Sequence, residues 1–257
     1  MTPFALFLDI DGTLTVENQV IPERNIVALR KARELGHKVF INTGRSYGNI
    51  PQKIFDQIEV DGVVSGNGTA LMLQGELIRT SFMPEDVIEK LAKRLFDSKE
   101  YWFVFEGFNH SYNAVGRGRK KADIEIPVTD YADFMRKRGD DPIQVLAVAR
   151  SFPEEELISY KEDITYYKFG HYYDITVKGN NKADGMLSLL ELMGIPQGNS
   201  MAFGDGDNDK NMLRKAGMGI AMANSQPELF DVADYITLTN KEGGVGAAIE
   251  KFLLKGE

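Results

Sequence analysis

The sequence predicts an α/β fold on a mainly parallel, doubly wound sheet, with an α+β domain inserted into it. Three observations lead there. Apolar runs at 4–8, 39–41 and 62–65 lack polar alternation, as expected of strands covered on both faces. Helical periodicities separate those runs, which suits parallel crossovers. From 82 to 180 the pattern changes, and strands at 164–169 and 172–177 are joined by a turn at Gly170 and His171 too short for a crossover. The expected division is a core over 1–81 and 181–257 with an insert over 82–180.

The elements follow in order. After the first strand a helix opens near Pro22, carries Ile26, Leu29 and Ala32 on one stripe and ends at Gly36. The second strand ends in Asn42-Thr43-Gly44-Arg45, a short helix starts at about Tyr47, and the third strand ends in Gly66-Asn67-Gly68-Thr69. In the insert a helix opens at Pro84, an aromatic strand runs over 101–105, and a polar, glycine-bearing stretch covers 109–121. A short helix at 131–137, a strand at 143–149 and a helix from Pro153 precede the two final strands. The chain then resumes with a helix ending near Met193. A strand at 200–203 follows, tipped by Gly204-Asp205-Gly206-Asp207-Asn208-Asp209. Strands at 218–222 and 235–237 lie among helices at Pro227 and 243–253.

The composition narrows the function. The 257 residues suffice for one large domain or two smaller ones, and the net charge of −8 argues against general nucleic-acid binding. Cysteine is absent, which removes thiolate nucleophiles, disulfides and cysteine metal sites and fits a reducing cytoplasm. No basic and apolar leader opens the chain, and no apolar run approaches the roughly 18 residues of a membrane span. A cytoplasmic protein without a membrane partner is expected. His37, His110 and His171 are isolated in sequence and receive no role.

Chemistry gathers at the strand tips. Asp9 and Asp11, two apart, share a face if the strand persists that far, and Gly12 lets the chain turn. Burying both carboxylates without a cation is costly or raises a pKa. Mg²⁺ would hold Asp9 ionised as a nucleophile while a second carboxyl moved a proton; alone, the motif equally suits a capped turn. Thr43 and amides near Gly44 can donate to a phosphate, or form a plain turn. Lys182 stands in a first helical turn, against the macrodipole, which an anion would explain. The loop 204–209 begins like an EF-hand, but Lys210 replaces the glycine and Ala216 the final acid. An acidic tip facing another acidic tip reads instead as a Mg²⁺ site built from two places in the chain.

Asp9-Ile10-Asp11-Gly12-Thr13-Leu14-Thr15, Thr43-Gly44-Arg45, Lys182 and the loop 204–209, in this order, resemble the four motifs of the haloacid dehalogenase superfamily. The insert and Asn67-Gly68 resemble its Cof-type branch, which carries a large α+β (type IIB) cap, and the resemblance spans essentially the whole chain. It implies a Rossmann-like core, a mobile cap and Mg²⁺-dependent hydrolysis of small organic phosphates such as sugar or cofactor phosphates. By position, Asp9 would form an aspartyl-phosphate, and Asp11 would protonate the leaving alcohol and then activate water. Thr43, Gly44, Lys182 and Asn208 would bind the phosphoryl group. Asp9, Asp11 through its carbonyl, Asp205 and Asp209 would hold or support the metal. Arg45, Asn67, Arg117 and Arg119 are candidates for substrate contacts, the last two within a basic run that equally suits a solvated loop. A phosphotransferase or phosphomutase, and a non-catalytic sensor, are the alternatives. Asp11 favours hydrolysis, and a sensor does not need the nucleophile. The cap also offers Tyr101, Trp102, Glu106, Asn109 and Tyr112, without a ranking.

Overall fold

The computed structural model describes residues 3–115 and 125–254, so Arg117 and Arg119 lie outside the described residues. The chain forms two compact units: Met1–Gly44, Pro51–Arg79 and Asn181–Glu257 in the first, Arg45–Ile50 and Thr80–Asn180 in the second. The sequence reading places 45–50 with the core. Here the Ser46 amide donates to Glu106 Oε2 (3.3 Å), the Tyr47 amide donates to Gln144 Oε1 (2.8 Å), and the Tyr47 and Phe108 rings stack at 5.1 Å, all within the second unit.

In chain order, the first unit begins with β1 (Ala5–Leu8), α1 (Glu23–Glu34), β2 (Lys38–Asn42), α2 (Gln52–Gln57), β3 (Gly62–Ser65), β4 (Ala70–Leu73) and β5 (Glu76–Thr80). The second contains α3 (Glu85–Asp97), β6 (Phe103–Gly107), β7 (Ser111–Ala114), β8 (Glu125–Val128), α4 (Tyr131–Arg138), β9 (Ile143–Ala149), α5 (Glu154–Ile158), β10 (Ile164–Phe169) and β11 (Tyr172–Val177). The first then resumes with α6 (Lys182–Met193), β12 (Ser200–Gly204), α7 (Lys210–Lys215), β13 (Met218–Ala221), α8 (Pro227–Phe230), β14 (Tyr235–Ile236) and α9 (Gly244–Phe252).

The first unit's sheet has the order β14-β13-β12-β1-β2-β3-β4-β5. From β14 to β3 every pair is parallel, and β3–β4 is antiparallel. Phe7 of β1 lies level with Phe40 and Ala202, and these residues pack with Met186 and Leu189 of α6 and Met212 of α7. Leu6 and Leu8, on the opposite face, are equally buried; burial of both faces is why residues 4–8 show no polar alternation. From β1 the chain winds to β2 and β3 on one side and returns through β12 and β13 on the other. Such a reversal is where open α/β sheets bind ligands at strand carboxyl ends. The β4–β5 hairpin, absent from the sequence reading, turns at Gln74 and Gly75, both at positive φ (51° and 84°).

The second unit's sheet runs β10-β11-β9-β6-β7-β8, with β7–β8 parallel and the other neighbouring pairs antiparallel. Phe103, Phe105, Leu146, Val148 and Ile175 pack with Val87 and Leu91 of α3 and Phe134 of α4. The aromatic strand starts at Phe103 instead of 101, and β7 rises from a stretch that reads as polar loop. No helix among the described residues is long and apolar enough to cross a membrane.

Candidate active site

The chain leaves β1 at Leu8 and turns at once: the Leu14 amide donates to the Asp9 carbonyl (3.1 Å) and the Thr15 amide to the Ile10 carbonyl (3.0 Å). Strand alternation therefore does not carry through to Asp11, contrary to the simplest expectation, and Asp9 is buried while Asp11 is exposed. Three asparagines hold the loop by its carbonyls: Asn224 Nδ2 donates to Gly12 (2.8 Å), Asn25 to Leu14 (3.2 Å) and Asn240 to Thr15 (2.8 Å). Gly12, at φ 82°, comes so near the loop after β12 that a Cβ would lie 2.2 Å from Asp205 Oδ2. Only glycine suits both the conformation and the approach. Beside it the Thr13 hydroxyl donates to Asp205 Oδ1 (2.8 Å).

The cation arrives from α6. Asn181 caps this helix, its Oδ1 accepting from the Asp184 amide (3.0 Å), so Lys182 is the first helical residue. The side chain is 1% exposed, and its Nζ lies 2.6 Å from Asp9 Oδ1 and 2.7 Å from Asp209 Oδ1. The macrodipole conflict seen in the sequence is thus answered by two carboxylates. The second oxygen of Asp209 accepts from the Asp205 and Gly206 amides, each at 3.0 Å, and this fixes the turn that presents Asp205.

One carboxylate oxygen from each of Asp9, Asp205 and Asp209 lies within 4.8 Å of the others. Burial pushes the Asp9 carboxyl well above its ordinary range; Lys182 opposes this, while Asp209, Asp205 and Asp11 add to it. Asp205 is pushed up to about 7, first by burial and then by Asp209. Burial works to lower the Lys182 pKa, but Asp209 and Asp9 outweigh it and hold the ammonium above its ordinary value. Three clustered carboxylates, all hard oxygen donors, with one ammonium bound to two of them, fit a divalent metal cation.

Thr43 ends up buried just past β2, its amide donating to Val64 (2.9 Å) and its carbonyl accepting from Asn67 (3.1 Å). Asn208 is buried beside Asp209, and its Nδ2 donates to Asn67 Oδ1 (2.8 Å). Arg45 belongs to the second unit, where Nη1 donates to the Asn49 carbonyl (3.1 Å). Tyr101 and Tyr112 join that unit's core. Sequence reasoning missed Thr13 and the three loop-holding asparagines. Thr13 stands inside the first motif and was within reach; Asn224 and Asn240 look like ordinary turn residues until the loop they hold is folded against them.

The haloacid dehalogenase-like hydrolase family matches residues 6–249. YkrA of Bacillus subtilis is 30% identical over 97% of this chain and 98% of its own length. YitU of the same organism, a 5-amino-6-(5-phospho-D-ribitylamino)uracil phosphatase, is 27% identical over 97% of both. The solved structure of BT4131, a sugar phosphatase of subclass IIB, superposes with a TM-score of 0.82 at 26% identity over 97% of this chain and 98% of that one. The chain belongs to the haloacid dehalogenase-like hydrolases, in the Cof-type branch. Within that family it is a phosphatase, a phosphoric monoester hydrolase.

Proposed function

We propose that this phosphatase hydrolyses small organic phosphate monoesters, sugar or cofactor phosphates, with Mg²⁺ and through an aspartyl-phosphate. The observation that carries this reading is the Lys182 ammonium held between Asp9 and Asp209, with the Asp205 carboxylate in the same cluster. Asp9 and Asp205 would hold the metal with the Asp11 carbonyl, and Asp209, already committed to Lys182 and two amides, would orient Asp205. Bound there, the ion would offset the negative charge of the site and of the phosphoryl group.

An Asp9 carboxylate oxygen attacks phosphorus as the bond to the ester oxygen breaks, and the Asp11 carboxyl gives its proton to the departing alkoxide. The Asp11 carboxylate then takes a proton from water, whose oxygen attacks phosphorus as the bond to Asp9 breaks, releasing inorganic phosphate. Exposure of Asp11 suits a group that exchanges protons twice per turnover. Lys182 opposes the effect of burial on Asp9, and with Thr43 and the Gly44 amide it receives the phosphoryl oxygens.

The test is phosphate release across sugar, nucleotide and cofactor phosphates, with Mg²⁺ and with chelator. Wild type should release phosphate only with the metal, and Asp9→Asn should lose at least about 10³-fold, the range typical for removing a nucleophile that acts as part of a unit. Near-normal turnover by Asp9→Asn, or no release from any compound, rejects the mechanism.

A further inference from the structure

The loop after β3 holds a donor that the roles above leave unused. Asn67 is fully buried and adopts φ 56°, ψ 40°, the left-handed region that asparagine enters more readily than most side-chain-bearing residues. Its amide is tied to the Thr43 carbonyl (3.1 Å). The next residue, Gly68, comes so near the start of α6 that a Cβ would lie 2.3 Å from the Asn181 carbonyl oxygen. The loop therefore sits among Thr43, Asn208 and the residue before Lys182.

The two ends of the Asn67 side chain are treated differently. Oδ1 accepts from Asn208 Nδ2 at 2.8 Å, whereas Nδ2 has no hydrogen-bond partner among the described residues. The place a Cβ would take on Gly44 lies 3.1 Å from Asn208 Nδ2, 3.2 Å from Asn67 Oδ1 and 3.4 Å from Asn67 Nδ2. The amide thus faces the bare Cα at the tip of β2, where Thr43 and Gly44 are proposed to receive the phosphoryl group. A buried donor without an acceptor is costly, so such groups in native proteins mark a missing partner or a functional role.

We infer that Asn67 Nδ2 is a phosphoryl-oxygen ligand and that Asn208 acts through it, as a positioning residue; the inference rests on the phosphatase reading. An amide oxygen only accepts and an amide nitrogen only donates. By donating into Oδ1, Asn208 settles which end of Asn67 faces it and leaves the donor unpaired beside Gly44. A phosphoryl oxygen offers only acceptors and matches that donor; a cation does not. This moves Asn208 from direct contact with phosphate, its expected role, to orienting the residue that makes it.

Inorganic phosphate binding to the Mg²⁺-loaded protein, read by calorimetry, tests this beside kcat and KM. Asn67→Gly keeps the left-handed backbone and removes only the amide. It should weaken phosphate by roughly tenfold to a hundredfold, the range for a hydrogen bond to a charged acceptor, with Mg²⁺ affinity and melting temperature near wild type. Asn208→Asp presents an acceptor where a donor stood, draws Asn67 Nδ2 toward itself and turns Oδ1 to the phosphate. It should lose as much, and the double variant should lose no more than the larger single loss. Unchanged phosphate affinity in Asn67→Gly overturns the inference, and additive losses in the double variant overturn the role of Asn208. Should Asn67→Gly fail to fold, Asn67→Asp, which also tolerates this backbone, must bind phosphate more weakly, and unchanged affinity again overturns the inference. Binding is read without turnover, so a wild type that binds phosphate but hydrolyses nothing overturns the hydrolysis reading while the Asn67 comparison still decides this one.

Discussion

Each unit buries a carboxylate centre, and the two are built in opposite ways. In the second unit Asp141 is a single carboxylate facing four donors: the Asn109 amide (3.0 Å) and side chain (2.9 Å) on one oxygen, the His110 amide (3.1 Å) and Tyr112 hydroxyl (2.9 Å) on the other. In the first unit Asp9 and Asp209 hold one ammonium between them and Asp205 joins their cluster. Donors satisfy the Asp141 charge, with the His110 ring nitrogen 3.6 Å from its second oxygen, and its work is to close the turn after β6. The other centre holds more negative charge than its donors balance, and burial drives its carboxyls toward the protonated state. Saturation marks structure, whereas surplus charge marks a place where a cation and an anionic substrate belong.

The largest effect that would sharpen this contrast comes from Lys182→Met. An ammonium about 4 Å from a phosphoryl oxygen is worth roughly 4 kcal/mol at an effective dielectric near 20, so kcat/KM should fall by about 10³-fold. The change also leaves Asp9 and Asp209 facing each other without their shared cation, and the metal-free protein should melt well below wild type. Steady-state kinetics and thermal melts check both. A loss under about tenfold in kcat/KM would break the contrast, because the surplus charge would then not depend on its single cation.

A smaller effect is read from pH. Asp9 and Asp205 are raised above the ordinary carboxylate value when folded, Asp205 to about 7. The folded chain therefore holds protons that the unfolded chain releases between about 4 and 7, and stability falls where the native state binds more protons as pH rises. The contribution is fully present below the unfolded value and is lost as pH climbs through about 7. Metal-free protein should lose melting temperature across that window, and the increase produced by saturating Mg²⁺ should grow across it, since the metal binds the ionised carboxylates. Parallel melts with chelator and with Mg²⁺ from pH 5 to 8 decide this. A metal-free melting temperature that rises through the window would show that Asp205 is ionised throughout.

How far the sequence reveals this arrangement depends on what each residue's signal is made of. Strands β3, β9, β10 and β11 fall where apolar runs and their punctuation place them, because burial and turn chemistry are local. β5 is exposed along its whole length, so it carries no alternation, and Gln74-Gly75 is a weaker hairpin sign than Asn-Gly. β7 hides its strand in Ser111 and Asn113, and only Tyr112 and the small Ala114 enter the core. At the site, Asp9, Lys182 and Asp205 stand out because each ends a strand or opens a helix. The pairing of Lys182 with Asp9 spans 173 positions, and nothing local encodes it. The turn after Leu8 likewise defeats the simple rule that Asp9 and Asp11 share a face, since that rule holds only while the strand continues.

The smallest effect should come from the saturated centre. Asp141→Asn keeps shape and volume, but an amide accepts at one end only. Whichever way it turns, its NH₂ meets two of the four donors, either those of Asn109 or those of His110 and Tyr112. Leaving such groups unpaired costs about 1–3 kcal/mol, enough to lower the melting temperature by several degrees in a chain of this size. Tyr112→Phe removes one donor and leaves three, so it should cost less than Asp141→Asn. Neither change touches the carboxylates that surround Lys182, and kcat at saturating substrate should stay within about threefold of wild type, well inside what removing a site group costs. Melting curves beside kcat for both variants make the test. If Asp141→Asn abolished turnover while melting like wild type, saturation by donors would no longer separate structural carboxylates from reactive ones.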